Sequence, residues 1–172
     1  RAFEQFAHQV PATDVQSLEV MYDPFTPRAF LRALIAQMAK RNVRLSLTCT
    51  TREQGESALA AGQADLGFFQ AHNRSLGNEM EWRALGSVEM NFYASQRRFA
   101  DVVLPCSLLD LSLIPQIVMH PASDIPVSRR LQIAGSVIFS NEREMVRSLM
   151  EAGCGWGFLP THFHASQWAG VS

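Results

Sequence analysis

Hydroxyls, amides and histidines gather in this chain just after its short apolar runs. "YDPFT" holds Asp23 and Thr26, "TCTT" holds Thr50 and Thr51, and Gln70 follows "DLGFF". Further on, "VMHPAS" holds His120, Pro121 and Ser123, Asn141 follows "SVIFS", and Phe158 lies in "GWGFLPTHFH". Polar groups of this kind suit a cleft in which a few placed hydrogen bonds orient a small ligand among apolar walls. If the apolar runs are strands of an open α/β sheet, their carboxyl ends and the helix starts beyond them are where ligands collect. Taken one at a time, Thr51, Ser123 and Asn141 are better read as caps of helices and turns. Their common placement at strand ends in both halves is what points to a site.

Catalytic chemistry is harder to find. The chain has no GxSxG, no HExxH, no GxGxxG and no glycine-rich phosphate loop. His162 and His164 stand two apart, as in part of a metal site, but no third ligand accompanies them and a surface loop is the better reading. Cys49 and Cys154 lie beside apolar residues at a strand or helix end, where a buried, inert thiol is commoner than a nucleophile. Asp23 precedes a helix start with no evident partner, so it reads as a ligand contact or a turn residue and not as a general base. These residues point to a non-enzymatic protein with no cofactor and no metal.

The elements that must carry these residues follow from periodicity. "LEVMY" puts Leu18, Val20 and Tyr22 on one strand face, and Thr26-Pro27 looks like a cap and first position of a helix. That helix, 27–41, carries Phe30, Leu31, Leu34, Ile35 and Met38 as one apolar stripe. "VRLSLTC" alternates strictly, as an edge strand with one wet face does. "TREQ" fits a capping box from Thr51 to Gln54, and the helix after it closes at Gly62 before "DLGFF". Two β-α-β units in so short a stretch imply a parallel sheet. The second half adds strands at 88–94, near 114–119 and at 136–140, with a short helix or loop before the second of these. A helix over 141–152 follows, capped by Asn141 with Glu144 and striped by Met145, Val146, Leu149 and Met150. Gly153 closes it before the strand "GWGFLP". The cadence of helix, glycine and buried strand thus occurs once per half, in "SALAAGQADLGFF" and "LMEAGCGWGFLP", which predicts two similar α/β lobes.

Bulk properties narrow the class. The 172 residues are 47% hydrophobic and 18% charged, enough for one compact domain or two small lobes. A formal net charge of −1, without clustered Lys or Arg, is unlike a segment that grips nucleic acid. No apolar run reaches a membrane span, and the first residues carry no signal-peptide core. Three widely spaced cysteines read as free thiols in a reducing compartment, which predicts the cytoplasm. With no initiator Met, the chain reads as part of a longer one.

From "LEVMYDPFTPRAF" through "ALAAGQADLGFF" to "MVRSLMEAGCGWGFLP", the order and spacing resemble the effector-binding domain of LysR-type transcriptional regulators over residues 18–171. The resemblance implies an α/β fold of two Rossmann-like subdomains with a ligand cleft between them, similar to type 2 periplasmic binding proteins. It divides the chain into the end of a linker helix and linker (1–17), subdomain I (18–86), subdomain II (87–168) and the start of a crossover back (169–172). It implies effector contacts from Asp23, Thr26, Thr51, Gln70, His120, Pro121, Ser123, Asn141 and Phe158. It also implies a homodimer or homotetramer, with helices 27–41 and 141–152 of different copies packed together, and DNA contact only through an upstream winged helix-turn-helix. Two features depart from the pattern: Arg41-Asn42 stand where Tyr-Pro is usual, and the chain stops at Ser172. A transport solute-binding protein and, less favoured, a small α/β enzyme are the alternative readings.

Overall fold

The computed structural model describes residues 16–71, 80–119 and 132–172. The expected helix end at 1–10 and the loop with His120, Pro121 and Ser123 lie outside these residues. The chain divides into two compact units between Ala84 and Leu85.

The first unit holds β1 (Gln16–Tyr22), α1 (Arg28–Ala39), β2 (Val43–Cys49), α2 (Arg52–Ala60) and β3 (Leu66–Phe68). Its sheet is wholly parallel in the order β2-β1-β3, so β2 is an edge, as its alternation predicts. Val20 on the central strand is 1% exposed. Helix α1 packs against β2 and buries Leu31 and Met38, while Leu34 is half-buried and Phe30 and Ile35 are exposed. The apolar stripe is therefore wider than the face the sheet covers. Thr26 is not the cap of α1: Pro27 occupies that position, in extended conformation and without a side-chain bond. Cys49, expected buried, is exposed, because the last residue of an edge strand has no neighbour beyond it.

The second unit holds β4 (Met90–Ala94), α3 (Leu108–Leu113), β5 (Gln116–Met119), β6 (Val137–Ser140), α4 (Arg143–Glu151) and β7 (Trp156–Pro160). Its sheet runs β4-β7-β5-β6, with β4 antiparallel to β7 and the rest parallel. Helix α4 packs on β5 and β6 through Val146 and Met150, both fully buried. Each such side chain contributes on the order of 1.5–3 kcal/mol relative to exposure. The short α3 starts with a reciprocal bond pair between Ser107 and Asp110, and these bonds hold the Asp110 carboxyl below its usual range. The Leu111 carbonyl of its last turn and the Ile114 carbonyl just beyond it accept from the Trp156 indole N–H at 3.0 and 3.1 Å. That is the partner a buried indole requires. After β7 the chain turns back, and Ser172 exchanges two backbone hydrogen bonds with Ala94.

The repeated cadence is a repeated structure. Gly62 and Gly153 end α2 and α4 at φ of 69° and 79°, the left-handed region that stops a helix without a Cβ penalty. Each is followed by a strand, but only β7 is the buried, internal strand expected; β3 is half-buried at the edge of its sheet. Among the described residues no helix is long and apolar enough to cross a membrane.

Candidate functional site

In the first unit the β1–β3 ladder ends at Tyr22 and Phe68. One residue on, the Asp23 N–H donates to the Phe68 carbonyl at 3.0 Å. The Asp23 side chain then continues the pairing that the strands have stopped. Its Oδ2 accepts from the Gln70 N–H at 2.7 Å, and its Oδ1 accepts from the Phe25 N–H and the Thr26 hydroxyl, both at 3.0 Å. The Thr26 hydroxyl also lies 3.2 Å from the Phe68 carbonyl. Asp23 is 4% exposed, a buried carboxylate held by three neutral donors, as burial of a charge demands. Of its two sequence readings, this geometry is that of the turn residue.

The end of β2 is drawn to the same place by a 2.9 Å bond from the Thr50 N–H to the Tyr22 carbonyl. Thr51 caps α2, accepting from the Gln54 N–H at 3.2 Å. The capping box does not close on Thr51, because Gln54 Oε1 accepts from the Thr50 hydroxyl at 2.6 Å. Arg52, the first residue of α2, donates from Nη1 to the Gln70 carbonyl at 2.8 Å and ion-pairs through Nε with Glu56. Asp23, Thr26, Thr51 and Gln70 therefore converge around three parallel strand ends, together with Arg52, which sequence reasoning missed. The available signal for Arg52 was its place at the first helical position after a strand end.

In the second unit, Asn141 lies exposed just beyond β6. It is not the cap of α4. Glu142 is, accepting from the N–H groups of Glu144 and Met145 at 2.7 and 2.8 Å. A carboxylate with two oxygens reaches two orphan donors where an amide oxygen reaches one. Arg143, the first residue of α4, donates to the Phe163 carbonyl at 3.0 Å, with its guanidinium 4.5 Å from the centre of the Phe163 ring. Phe158, implied as an effector contact by the resemblance, lies within β7 opposite Phe92, ring centres 4.9 Å apart. His162 is half-buried with its ring edge-on to Phe163, and His164 is exposed at φ 53°.

Two α/β units, each built on a mostly parallel sheet with helices between its strands, fit the periplasmic-binding-protein-like fold class. The chain belongs to the LysR substrate binding domain family, whose model matches residues 13–170. No curated relative matches it. Among solved structures, a cysteine-to-serine variant of the OxyR2 regulatory domain from Vibrio vulnificus is 14% identical, with a TM-score of 0.70 over 95% of this chain and 81% of that one. The effector binding domain of QuiR in complex with shikimate is 13% identical, with a TM-score of 0.71 over 92% and 79%. Full-length CbnR, solved with its target DNA, is 19% identical, with a TM-score of 0.64 over 93% of this chain and 58% of that one.

Proposed function

We propose that this chain is the effector-sensing part of a LysR-type transcriptional regulator and that it acts by binding, not by catalysis. The observation that carries the reading is the family match over 13–170, joined to the convergence of polar groups at the strand ends. The effector is a small molecule, and its proposed contacts are Thr51, Gln70, Asn141 and Phe158, with His120, Pro121 and Ser123 from the loop after β5. Asp23 and Thr26 hold the framework behind these contacts. DNA is reached through a winged helix-turn-helix upstream, in a cytoplasmic homodimer or homotetramer. An effector shifts the assembly only by its differential affinity for the two states.

The test is a thermal-shift screen of metabolites, with shikimate among the first compounds because QuiR binds it. A ligand present at 100 times its Kd stabilises the native state by about 2.7 kcal/mol. Gln70→Ala and Asn141→Ala change exposed side chains and are expected to abolish the shift while leaving the unliganded midpoint in place. A shift that survives both variants would move the site elsewhere, and turnover of the bound compound would overturn the non-catalytic reading.

A further inference from the structure

The helices that begin beside Thr51 and Asn141 are capped by groups of different charge. Helix α2 is capped by Thr51, whose neutral hydroxyl accepts from one N–H, that of Gln54, at 3.2 Å. Helix α4 is capped by Glu142, whose carboxylate accepts from two. Its Oε1 takes the Glu144 N–H at 2.7 Å and its Oε2 takes the Met145 N–H at 2.8 Å. The Glu142 N–H in turn donates to the Ser140 hydroxyl at 3.2 Å, and that hydroxyl donates to the Glu142 carbonyl at 3.3 Å. A helix leaves its first four N–H groups without an intrahelical partner. At α4, three of the four, on Glu142, Glu144 and Met145, are filled from within the same short loop.

These N–H groups and the positive end of the helix are what an anion uses when it binds at a helix start. At α4 one oxygen of a carboxylate faces each of two neighbouring donors, as the oxygens of a bound acid would. That carboxylate belongs to the chain, so it is held beside the donors at high effective concentration. A free anion would have to displace it and approach its charge. Glu144, in the first turn, adds a second negative charge. The Arg143 guanidinium is directed to the Phe163 carbonyl at 3.0 Å, with the Phe163 ring centre 4.5 Å away. Between Ser140 and Glu142, whose side chains turn to the backbone, Asn141 stands exposed. Its amide is neutral and offers both donors and an acceptor.

We infer that Glu142 is a specificity-determining residue: it fills the anion seat at the start of α4, so that the part of the effector that meets Asn141 is a hydroxyl, amide or amine and not a carboxylate or phosphate. This deepens the sensing proposal and rests on it for Asn141 as an effector contact. An acidic effector then carries its charge away from α4.

Sulfate is the probe, titrated against chloride at fixed ionic strength and followed by the amide shifts of Glu144 and Met145 in heteronuclear NMR spectra. Glu142→Ala removes the carboxylate, and Glu142→Gln keeps one acceptor without the charge. In the wild type the two amides should show no saturation. In Glu142→Ala they should follow a saturating curve with a midpoint at least about tenfold below the highest sulfate concentration that leaves the wild type unsaturated, as expected when donors are released from a charge-assisted bond. Glu142→Gln should fall between the two. Wild-type amides that saturate as readily as those of Glu142→Ala would overturn the inference, because nothing would be excluded. So would amides that respond no more in either variant than in the wild type, because there would be no seat to fill. If Glu142→Ala also loses exchange protection at Val146 and Leu149, its helix start has frayed, and Glu142→Gln decides alone. No effector enters this titration. Its failure leaves the sensing proposal standing, and an empty metabolite screen leaves the filled seat standing. An effector from that screen whose carboxylate or phosphate shifts the Glu144 and Met145 amides of the wild type would overturn the inference directly.

Discussion

The Glu151 carboxyl is held below the usual glutamate range, first by its hydrogen bond from Arg147 and then by the Ala169 N–H. A folded-state pKa depressed below the unfolded one stabilises the fold above the unfolded value, and that stability is lost as pH falls through the folded value. The melting midpoint of the wild type should therefore exceed that of Glu151→Gln at neutral pH. The gap should close on acidification below about pH 4, the ordinary glutamate range. A gap that persists at pH 3 would mean that Glu151 acts through shape and not charge. Gly155 is constrained by space instead. A Cβ there would come within 2.0 Å of the Pro115 carbonyl oxygen, which accepts from the Trp156 N–H at 3.1 Å. Backbone cannot rotate away as a side chain can, so Gly155→Ala should force β5 and β7 apart. A cost of about 1–3 kcal/mol is expected, read as a lower urea midpoint at unchanged slope.

At the scale of elements, the start of α4 gives a clean contrast between neighbours. Glu142→Ala removes both side-chain bonds to the first turn and should cost about 1 kcal/mol in denaturant unfolding. Asn141→Ala should stay within about 0.5 kcal/mol, because its side chain is not the cap. The reverse ranking would restore Asn141 as the cap. These two residues also mark where sequence legibility ends. Element type and order were readable because burial imposes a period: alternation along Val43–Cys49, a 3.6-residue stripe along α4, and glycine where the chain must enter the left-handed region. Cap choice was not, since Thr26 against Pro27 and Asn141 against Glu142 are decided by which side chain reaches an N–H, and adjacent residues have the same periodicity. Phe158 entered by resemblance alone, since nothing in its spacing separates it from the other residues of β7. Arg52 was read only as part of "TREQ", because its partner lies 18 residues away and becomes a neighbour only when β3 returns beside β1. Strand-end clustering of Asp23, Thr26, Thr51 and Gln70 was legible for the opposite reason: parallel strands bring all their carboxyl ends to one side.

At the scale of the molecule, the apolar stripes of α1 and α4 exceed what their own sheets cover. Leu31 and Met38 are buried on α1, and Val146 and Met150 on α4, so the core reading accounts for those four. It does not account for Ile35, 37% exposed, or Met145, 52% exposed. Family resemblance implies that these two helices, from different copies, pack together across a two-fold axis. An isologous contact of that kind uses each helix twice, once per copy, and a stable one buries on the order of 1,200–2,000 Å² in total. Ile35→Asp and Met145→Asp place a charge that cannot be desolvated in an interface without several kcal/mol of penalty, and Met145, the more exposed of the two, is the variant that costs the monomer less. Light scattering at micromolar concentration should give twice the 19.2 kDa chain mass for the wild type and the single mass for each variant. Both variants should keep the wild-type urea slope, since the surface exposed on unfolding one chain is the same. A monomeric wild type would leave the stripes explained by their sheets alone, and a dimer that survives both charges would place the contact on a different face.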